Sequence, residues 1–473
     1  MTSTKLTGKE LRQIGFPEGK VIGTALRVLE KKYKGKSKKH KLELLQRILE
    51  TPALYQKHEI LAPIAIELIT KEPPINHFEL NTKRLSYKTY GTEGIEPGAI
   101  NQMEIAMKLP ITVGGALMAD AHQGYGLPIG GVLATKNTVI PYGVGVDIGC
   151  RMCLSIYNLS PGFLQQEAEK LKKILVDNTK FGYATFKNPK DHEILERPAF
   201  DEIQILNTLK DKAYRQIGSS GGGNHFVEFG VVEIPEKENG LPVASGKYLA
   251  VLSHSGSRGM GAEIARYYTK IAREKTQLPG EAKHLAWLDL DTEAGQEYWL
   301  AMTLAGDYAS ACHHQIHERM AKALGEDHLL MVENHHNFAW KEQDADGNEI
   351  IVHRKGATPA GMGALGIIPG SMTSPGFIVK GKGERLSLNS ASHGAGRVMS
   401  RRKAKQTLSK HDVLSHLKKA GISLIGSGLD EAPMVYKDIH QVMKHQQALV
   451  EVMGIFHPKI VRMCGDSKFG EVD

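Results

Sequence analysis

Apolar residues recur at spacings of three and four along the first part of the chain, which is the pattern of an amphipathic helix. The pattern is clearest in TALRVLEKKY, residues 24–33, and in HKLELLQRILETP, residues 40–52. A basic stretch, KKYKGKSKKHK, lies between these two segments and is predicted to form a turn. The pattern therefore predicts a helical and basic N-terminal extension over residues 1–95.

From about residue 96 the pattern changes to short β-rich runs that are punctuated by glycine. The clearest runs are GGVLAT, GKYLAVLSH, EIIVHRKG and GFIVKG. Helical periodicity interrupts them in GFLQQEAEKLKKIL, AEIARYYTKIAREK, EAGQEYWLAMTLAGDYASACHHQIHERMAKAL, HDVLSHLKKAG and VYKDIHQVMKHQQALVEVM. Because strands and helices mix without regular βαβ alternation, the chain is predicted to be an α+β protein, with sheets and surrounding helices in a main domain over residues 96–473.

The formal net charge of +8 comes from the N-terminal segment alone. Residues 1–60 carry 14 Lys and Arg against 6 Asp and Glu, and the remaining residues carry 46 of each sign. A solvated helical face and an attraction to RNA phosphates both explain such a segment. The start, MTSTKLTGKE, is polar, and apolar runs such as LAPIAIELI are too short to cross a bilayer. We therefore expect a cytoplasmic protein with no membrane association.

Four cysteines, Cys150, Cys153, Cys312 and Cys464, are too few for a disulfide framework and are expected to stay reduced. Cys150 and Cys153 form a CxxC pair, but the sequence has no second CxxC to complete a structural zinc site. Cys153 is therefore interpreted as a structural residue. The segment DADGN, residues 344–348, begins like a calcium loop but lacks its later glycine and glutamate, and it is predicted to be a hairpin turn.

Five segments set a His, Asp or Cys among glycines or small polar residues: MADAHQGYGLPIGG, GVGVDIGCRM, GSSGGGNHFVEFG, LSHSGSRGMG and VENHHNFA. Glycine allows the backbone to approach a bound group closely, so these segments are typical of site loops. The candidate metal ligands are Asp147, Cys150, His225, His254, and His335 or His336. One such histidine alone is more often a structural residue, but the mixture of carboxylate, thiolate and imidazoles suits Zn²⁺ or Mn²⁺.

Taken together, nine motifs in order resemble the RtcB-type RNA ligases, which join RNA 3′-phosphate or 2′,3′-cyclic phosphate ends to 5′-hydroxyl ends. The motifs are DAHQGYGLPIGGV, GVDIGC, GGGNHF, HSGSRG, HHNFA, HRKGAT, PGSM, SHGAGRVMSR, and DEAP followed by YKDI. The resemblance covers the chain from about residue 100 and implies an RtcB-like catalytic domain. The N-terminal 95 residues lie outside it.

The resemblance implies a metal centre with two ions, Mn²⁺ being the expected ion and Zn²⁺ the alternative. The implied ligands are Asp147, Cys150, His225, His254 and His336. His336 is preferred to His335 because the family's ligand directly precedes the asparagine, here Asn337. Two adjacent divalent ions can neutralise phosphates and clamp the entering and leaving oxygens of a phosphoryl displacement.

The segment LNSASHGAGRVMSRRKA, residues 388–404, carries the implied nucleophile, His393. The family's histidine attacks the α-phosphate of GTP and forms a histidine–GMP adduct. Asp120 would hold the other ring nitrogen and so fix the tautomer. Arg397 and Arg401 would pair with phosphates or with the RNA end. A cyclic phosphate would first be opened by metal-activated water, after which GMP moves to the 3′-phosphate and the 5′-hydroxyl displaces it.

The resemblance also implies a nucleotide pocket. Its expected members are Asn224 and Lys355 on phosphate, Glu228 on guanine, Tyr436 stacked on the base, and Ser371, Gly394, Ala395 and Gly396 beside the nucleotide. The chain departs from the family pattern at Gly376, where a serine is usual, and at Cys464, where a lysine precedes the final glycine. Lys468 is the candidate replacement. Guanine specificity is left open by these departures.

Three functions remain compatible with the sequence. The first is the GTP-dependent RNA ligase, the second a metal-dependent RNA-end or cyclic-phosphate hydrolase that does not ligate, and the third a non-catalytic RNA-end binder. A monomeric chain and an archease-type activating partner are further expectations. The natural RNA, whether a tRNA, a messenger or damaged RNA, does not follow from the sequence.

Overall fold

The computed structural model of the chain describes residues 6–17, 19–69, 76–236, 240–426 and 428–465. Its helices in chain order are α1 (Gly8–Gln13), α2 (Lys20–Lys32), α3 (Lys38–Glu50), α4 (Pro52–Tyr55), α5 (Ala62–Ile69), α6 (Pro97–Ala106), α7 (Pro141–Val144), α8 (Gly162–Gln166), α9 (Ala168–Asn178), α10 (Ala199–Glu202), α11 (Gln204–Gln216), α12 (Arg258–Lys275), α13 (Glu293–Leu324), α14 (Arg401–Thr407), α15 (Lys410–Lys419) and α16 (Ile439–Lys444).

Its strands in chain order are β1 (Asn76–His77), β2 (Lys88–Thr89), β3 (Thr112–His122), β4 (Ile129–Thr135), β5 (Thr138–Val139), β6 (Arg151–Tyr157), β7 (Phe226–Ile234), β8 (Gly246–Ser255), β9 (Thr276–Gln277), β10 (Leu288–Asp289), β11 (His328–His335), β12 (Asn337–Gln343), β13 (Glu349–Lys355), β14 (Ala357–Pro359), β15 (Leu365–Ile368), β16 (Gly376–Gly381), β17 (Ser390–Ser392), β18 (Ser423–Ile425) and β19 (Val450–Met463).

The N-terminal helices α1 to α5 share a hydrophobic core of their own. Leu11, Ile22, Leu45 and Ile48 are fully buried in it, at the spacing that the sequence pattern indicates. The predicted basic turn is shorter than expected because the Ser37 side chain accepts a hydrogen bond from the first turn of α3 and starts that helix early. The second half of the basic stretch is therefore helical.

Helix α2 docks on the main part of the molecule beside the start of α13. A Cβ added to Gly23 would lie 1.9 Å from the carbonyl oxygen of Asp291, so the two backbones touch. Arg27 pairs with Asp291 at 2.6 Å, and Arg12 pairs with Glu293 at 3.0 Å. In the described residues the helical part of the extension ends at Ile69, and β2 already pairs in parallel with β3. The predicted boundary at residue 95 stays a prediction.

Two sheets form the centre of the molecule. The larger has the strand order β11-β6-β8-β7-β19-β16-β15, with β18 paired to β19, and the second has the order β12-β13-β4-β3-β2. The end strands β11 and β15 of the larger sheet are joined by the side chain of Asn334, which donates to the Ile367 carbonyl at 3.2 Å and accepts from its amide at 2.8 Å. The sheet therefore curls toward a barrel, and the predicted α+β class is confirmed.

The long helix α13 packs behind the larger sheet. Thr292 caps its first turn, and Gly325, with φ of 75°, ends it in the left-handed conformation. Small side chains let the helix approach the sheet closely, since a Cβ on Gly149 would lie 2.7 Å from the Cα of Gly306. The helix is thereby fixed against the segment that leads into β6.

Two sequence predictions of secondary structure require correction. The stretch VYKDIHQVMKHQQALVEVM is predicted to be one helix, but α16 ends at Lys444 and β19 begins at Val450. Pairing of β19 with β7 and β16 outweighs the local helical preference. The helix predicted for GFLQQEAEKLKKIL is broken at Glu167 into α8 and α9.

The hairpin turn predicted for DADGN is confirmed, because residues 344–348 join β12 to β13. The Asp344 carboxylate accepts hydrogen bonds from the backbone of Asp346 and Asn348 at 2.9 Å each. Among the described residues, none of the helices combines the length and the apolar character that a membrane crossing needs.

Candidate active site

A cavity of about 630 Å³ is lined by residues of both central sheets. The larger sheet contributes side chains from β6, β7, β8 and β19, and the second sheet contributes the end of β3 and the end of β13. Most of the residues predicted from the sequence to carry chemistry line this one cavity. The fold thus brings together segments that are distant in sequence, such as Asp120 and His393, which are 273 residues apart and in contact at 2.7 Å.

The five predicted metal ligands converge at one end of the cavity. Cys150 Sγ lies 3.1 Å from His254 Nε2 and 3.4 Å from His225 Nε2. His225 Nε2 is 2.9 Å from a carboxylate oxygen of Asp147, and His254 Nε2 is 3.3 Å from His336 Nε2. We call these five residues the donor cluster.

Each member of the donor cluster is positioned by a strand or by a turn next to a strand. Asp147 and Cys150 lie in the tight turn that precedes β6, His225 directly precedes β7, His254 lies within β8, and His336 separates β11 from β12. The Asp147 carboxylate leaves no room for a side chain at Gly256, because an added Cβ there would lie 2.1 Å from one of its oxygens. The glycines that mark these segments therefore leave room for the cluster.

Burial sets the charge state of the donor cluster. Burial, followed by the charge of His225, lowers the pKa of His254 to about 3. Burial likewise holds the pKa of His336 well below its ordinary value. Burial raises the pKa of Asp147, but the hydrogen bond and charge of His225 lower it more, so its net pKa lies below the ordinary value. Neutral imidazoles beside a carboxylate are the forms that bind a divalent transition ion.

The alternative ligand, His335, does not join the donor cluster. Its ring stacks on Trp340 with centroids 4.9 Å apart and meets Phe338 edge-on at 4.9 Å. His336 points the other way, and its Nδ1 is buried with no hydrogen-bond partner among the described residues. The other ring nitrogen of His336, Nε2, is the atom that approaches the remaining donors, at 3.3 Å from His254 Nε2.

His393 lies next to the donor cluster, with its ring centroid 5.0 Å from that of His336. Asp120, fully buried at the end of β3, accepts three hydrogen bonds through one oxygen: from His393 Nδ1 at 2.7 Å, from the His393 amide at 3.0 Å and from the Gly394 amide at 3.3 Å. A carboxylate that accepts from Nδ1 leaves the lone pair of the neutral ring on Nε2. Burial raises the pKa of Asp120, yet the charge of His393 and its hydrogen bond lower it below the ordinary value.

The turn after His393 requires glycine. Gly396 has φ of 72°, and a Cβ there would lie 2.0 Å from the carbonyl oxygen of Asp120. The segment can therefore lie against β3 only because residue 396 has no side chain. Gly394, Ala395 and Gly396 also line the cavity, where a nucleotide could lie against the backbone.

Arg397 and Arg401 line the cavity, but both are held by acidic residues. Arg397 lies 3.4 Å from a Glu431 carboxylate oxygen and donates to the Asp430 carbonyl at 2.6 Å. Arg401 lies 3.2 Å from the Asp430 carboxylate and also pairs with Glu431. The hydroxyl of Tyr436 donates to Glu431, and Arg397 lies over the Tyr436 ring at 5.4 Å from its centroid. Sequence reasoning assigned no role to this acidic pair, although the DEAP motif contains it.

The remaining predicted nucleotide residues, Asn224, Glu228, Lys355, Ser371 and Tyr436, line the same cavity. Burial raises the pKa of Glu228 well above its ordinary value. Burial lowers the pKa of Lys355 to about 7. The Lys355 ammonium donates to the backbone carbonyls of Tyr125 at 2.6 Å and Tyr142 at 3.2 Å. Both tyrosines line the cavity and were missed by sequence reasoning.

The two departures from the family pattern occupy different places. Gly376 lines the cavity. Cys464 is half-buried and packs with Phe181 and Ile460 in a separate hydrophobic cluster. Lys468, the candidate replacement for the missing lysine, lies outside the described residues.

Comparison with known proteins gives a consistent result over most of the chain. The family model described as tRNA-splicing ligase RtcB matches residues 102–203 and 183–463. The RNA-splicing ligase RtcB of Escherichia coli strain K12 is 34% identical over an alignment of 414 residues that covers 80% of this chain and 97% of that protein. The tRNA-splicing ligase RtcB of Nanoarchaeum equitans is 32% identical over 418 residues, covering 73% of this chain and 87% of that protein. With Asp120, His393 and the whole donor cluster inside the matched residues, the chain belongs to the RtcB family.

Proposed function

We propose that the protein is a GTP-dependent RNA ligase that joins RNA 3′-phosphate or 2′,3′-cyclic phosphate ends to 5′-hydroxyl ends through a histidine–GMP adduct. The observation that carries the proposal is the position of His393, held by Asp120 at 2.7 Å with its ring 5.0 Å from His336 of the donor cluster. Membership of the RtcB family supports it, since relatives of the chain are named RNA-splicing ligases.

The donor cluster fits divalent transition ions. Its donor atoms approach one another to between 2.9 and 3.4 Å, and they combine a carboxylate, a thiol and three imidazoles. Asp147, Cys150, His225, His254 and His336 would hold the ions, with two Mn²⁺ ions expected and Zn²⁺ the alternative. Such ions, when bound, neutralise phosphate charge and stabilise the displacement at phosphorus.

In the first step the lone pair on His393 Nε2 attacks the α-phosphorus of GTP. A P–N bond forms while the bond to the departing pyrophosphate breaks. The attacking ring becomes cationic, and the Asp120 carboxylate at Nδ1 stabilises that charge as it develops. The fully buried carboxylate cannot turn away, because it also accepts the amide protons of His393 and Gly394.

In the second step an oxygen of the RNA 3′-phosphate attacks the phosphorus of the adduct, and the P–N bond breaks so that His393 regains its lone pair. In the third step the RNA 5′-hydroxyl attacks the activated 3′-phosphate and GMP leaves. If the RNA ends in a cyclic phosphate, water opens that ring to the 3′-phosphate before the second step. Each step is a displacement at phosphorus, which depends mainly on position and charge stabilisation.

The cavity wall supplies the nucleotide contacts in this proposal. Lys355 and Asn224 would contact phosphates, Tyr436 would stack on the base, and the Glu228 carboxyl group would form hydrogen bonds with a guanine edge. Arg397 would pair with phosphates only by exchanging part of its present interaction with Glu431. The more negative charge of a triphosphate or an RNA end favours that exchange.

One experiment tests the proposal directly. The protein is incubated with Mn²⁺ and α-labelled GTP or ATP, and the label bound to protein is measured. We expect label from GTP in the wild type and none in His393→Ala, whereas His411→Ala, an exposed histidine of α15, keeps it. Absence of label with both nucleotides would contradict the ligase and favour a hydrolase, which end-labelled RNA would reveal as trimming without joining. Label from ATP alone would show that the base pocket has changed its nucleotide.

The proposal includes several expectations about the whole protein. We propose a basic N-terminal extension over residues 1–95, whose described helices end at Ile69, and a catalytic domain over residues 96–473. A cytoplasmic location, a monomeric state and an archease-type activating partner complete it. Size-exclusion chromatography with light scattering checks the second of these three.

A further inference from the structure

A second group of metal-type ligands lies behind the larger sheet, outside the cavity. Cys153, His313 and His317 are fully buried, and one ligand atom of each lies within 4.8 Å of the others. Cys153 of β6 is paired in register with Ser253 of β8. Because successive side chains of a strand point to opposite faces, Cys153 and Ser253 face α13, while His254 faces the cavity. The two ligand groups thus occupy opposite faces of one sheet.

The two histidines are placed by the helix. His313 and His317 are four residues apart on α13, a spacing that puts both rings on one helical face and that recurs in zinc sites. Both rings meet β8 and β6 rather than solvent. His314, between them, is half-exposed and lies 3.4 Å from Glu333 on another face of the helix. The face of α13 toward the sheet is therefore the one that carries the ligands.

The ring nitrogens of this group divide into an inner and an outer set. The inner atoms, His313 Nδ1 and His317 Nε2, lie 2.7 and 2.8 Å from Ser253 Oγ. The outer atoms have fixed partners, because His313 Nε2 donates to the Ser255 carbonyl at 3.1 Å and His317 Nδ1 lies 2.7 Å from Ser155 Oγ. A carbonyl only accepts, so the inner nitrogen of a neutral His313 carries the lone pair. Ligating histidines are typically oriented by such outer partners.

From this geometry we propose that Cys153, His313 and His317 form a second metal site, which binds Zn²⁺ with the Ser253 hydroxyl oxygen in the fourth position. One sulfur and two imidazole nitrogens are zinc ligands of the usual types and supply three of the four positions of a tetrahedral site, and the Ser253 oxygen would supply the fourth. A thiol ligand in an otherwise imidazole set favours Zn²⁺ over Mg²⁺ or Mn²⁺.

Binding would exchange a proton for the ion. The Cys153 S–H bond breaks, the sulfur bonds to the ion, and the proton passes to solvent. Without an ion, Ser155, His317, Ser253 and His313 can form one continuous hydrogen-bond chain that ends on the Ser255 carbonyl. The polar side chains of this group therefore have hydrogen-bond partners without an ion as well. Because both states are compatible with the fold, the metal content of the protein decides between them.

The experiment first removes the ligands of the cavity. The full-length variant Cys150→Ser/His254→Ala is loaded with Zn²⁺, freed of loose metal by gel filtration, and analysed by inductively coupled plasma mass spectrometry. We expect it to retain about one zinc ion per chain, and we expect the further change Cys153→Ser or His317→Gln to remove that ion. His314→Gln, on the same helix but outside the group, serves as the matched control and keeps the zinc.

A spectroscopic readout identifies the thiolate that binds the metal. Co²⁺ bound by a thiolate absorbs in the near ultraviolet, and this band should persist in Cys150→Ser/His254→Ala and disappear when Cys153→Ser is added. In the otherwise wild-type chain, Cys153→Ser should lower the bound zinc by about one ion. A folded Cys150→Ser/His254→Ala protein that holds no zinc, or an unchanged zinc content in Cys153→Ser, would overturn the proposal. The outcome does not depend on whether the protein ligates RNA.

Discussion

At the scale of single residues, Asp120 holds His393 in place. One carboxylate oxygen accepts from the ring and from two backbone amides, so it fixes both the tautomer and the position of the imidazole. Orientation and charge stabilisation of a reacting imidazole by a buried carboxylate contribute several orders of magnitude in other enzymes.

We predict that Asp120→Asn slows formation of the histidine–GMP adduct by roughly 10²–10⁴-fold. The neutral asparagine amide cannot offset the positive charge that develops on the attacking His393 ring. The rate of labelling by α-labelled GTP measures this effect. Asp346→Asn, in the exposed turn between β12 and β13, is the control and should label at the wild-type rate. Equal rates in the two variants would show that Asp120 only supports the fold.

The buried ammonium of Lys355 gives a prediction about pH. Burial lowers its pKa to about 7, and the ordinary value is about 10.4. Between these values the unfolded chain binds more protons than the folded chain, so this group's contribution to the free energy of unfolding rises with pH. It is complete above the unfolded pKa and is lost as the pH falls through the folded one.

We therefore expect the free energy of unfolding of the wild type, minus that of Lys355→Met, to increase from pH 7 to pH 9.5 by up to about 1.4 kcal/mol per pH unit. Urea unfolding at several pH values measures the difference. The comparison variant is Lys341→Met, whose side chain is 41% exposed. A difference for Lys355→Met that stays constant with pH would contradict the lowered pKa.

Much of the site at this scale follows from sequence, because its residues carry chemistry that is visible in their type and in the glycines around them. His393 and four members of the donor cluster line one cavity, and Asp120 and His225 contact them from just behind its wall. The pairing of Glu431 with Arg397 and Arg401 does not follow from the sequence, because it is a tertiary contact between residues about thirty positions apart. His313 and His317 were equally hidden, since the sequence shows them only as part of a helix.

At the scale of elements, the turn after β17 positions the candidate nucleophile through a close backbone approach. Gly396 satisfies two separate requirements there: a left-handed φ of 72° and an empty Cβ position 2.0 Å from the Asp120 carbonyl. Gly363 has a similar φ of 79°, but an added Cβ would meet nothing within 4 Å. Alanine at residue 363 therefore has only backbone strain, whereas alanine at residue 396 has backbone strain and a steric clash.

We predict that Gly396→Ala abolishes adduct formation and lowers the unfolding midpoint more than Gly363→Ala does. Backbone strain costs about 1–2 kcal/mol for alanine in this conformation, and both variants have that cost. In Gly396→Ala alone, the added methyl group also overlaps the Asp120 carbonyl, so β3 has to move. Labelling with GTP and thermal unfolding measure both effects. If the two variants behaved alike, the close approach to Asp120 would have no consequence.

The elements themselves were predictable to different degrees. The long helix α13 begins and ends at the residues that the sequence pattern indicates, because its cap and its terminal glycine are local signals. The start of β19 was not predictable, because residues 450–453 have a helical pattern locally and become a strand only by pairing with β16. Local propensity is a weak prior wherever a sheet offers a partner strand.

At the scale of the whole molecule, the N-terminal helices are attached to the main part through α2 and the start of α13. Three ion pairs, Arg12–Glu293, Lys20–Asp289 and Arg27–Asp291, surround the contact of Gly23 with the backbone of residue 291. Basic residues of the extension thus meet an acidic segment of the main part. Part of the N-terminal charge excess is used within the molecule, and is not available to RNA.

We predict that Gly23→Ala loosens this attachment and lowers the thermal unfolding midpoint by several degrees, because the added methyl group overlaps the Asp291 carbonyl. Gly35→Ala is the control, since an added Cβ there meets nothing within 4 Å. Differential scanning calorimetry measures both variants. An unchanged midpoint and enthalpy in Gly23→Ala would show that the contact does not stabilise the folded protein.

The α+β class and the helical start of the chain follow from the period of apolar residues. The curl of the larger sheet does not, because it depends on one amide side chain, Asn334, that replaces backbone pairing between β11 and β15. A polar residue in a strand carries no sequence signal for that role.

Strand β8 turns His254 toward the cavity and its neighbours Ser253 and Ser255 toward α13. A single inserted or deleted residue upstream of this tripeptide, with the pairing to β6 and β7 kept, would swap the two sides and place hydroxyls among the cavity ligands. A substitution in β8 changes one side chain on one face of the sheet. A change of length would move the side chains on both faces, those toward the cavity and those toward α13. Among descendants of this chain, the number of residues in β8 should therefore vary less than their identities.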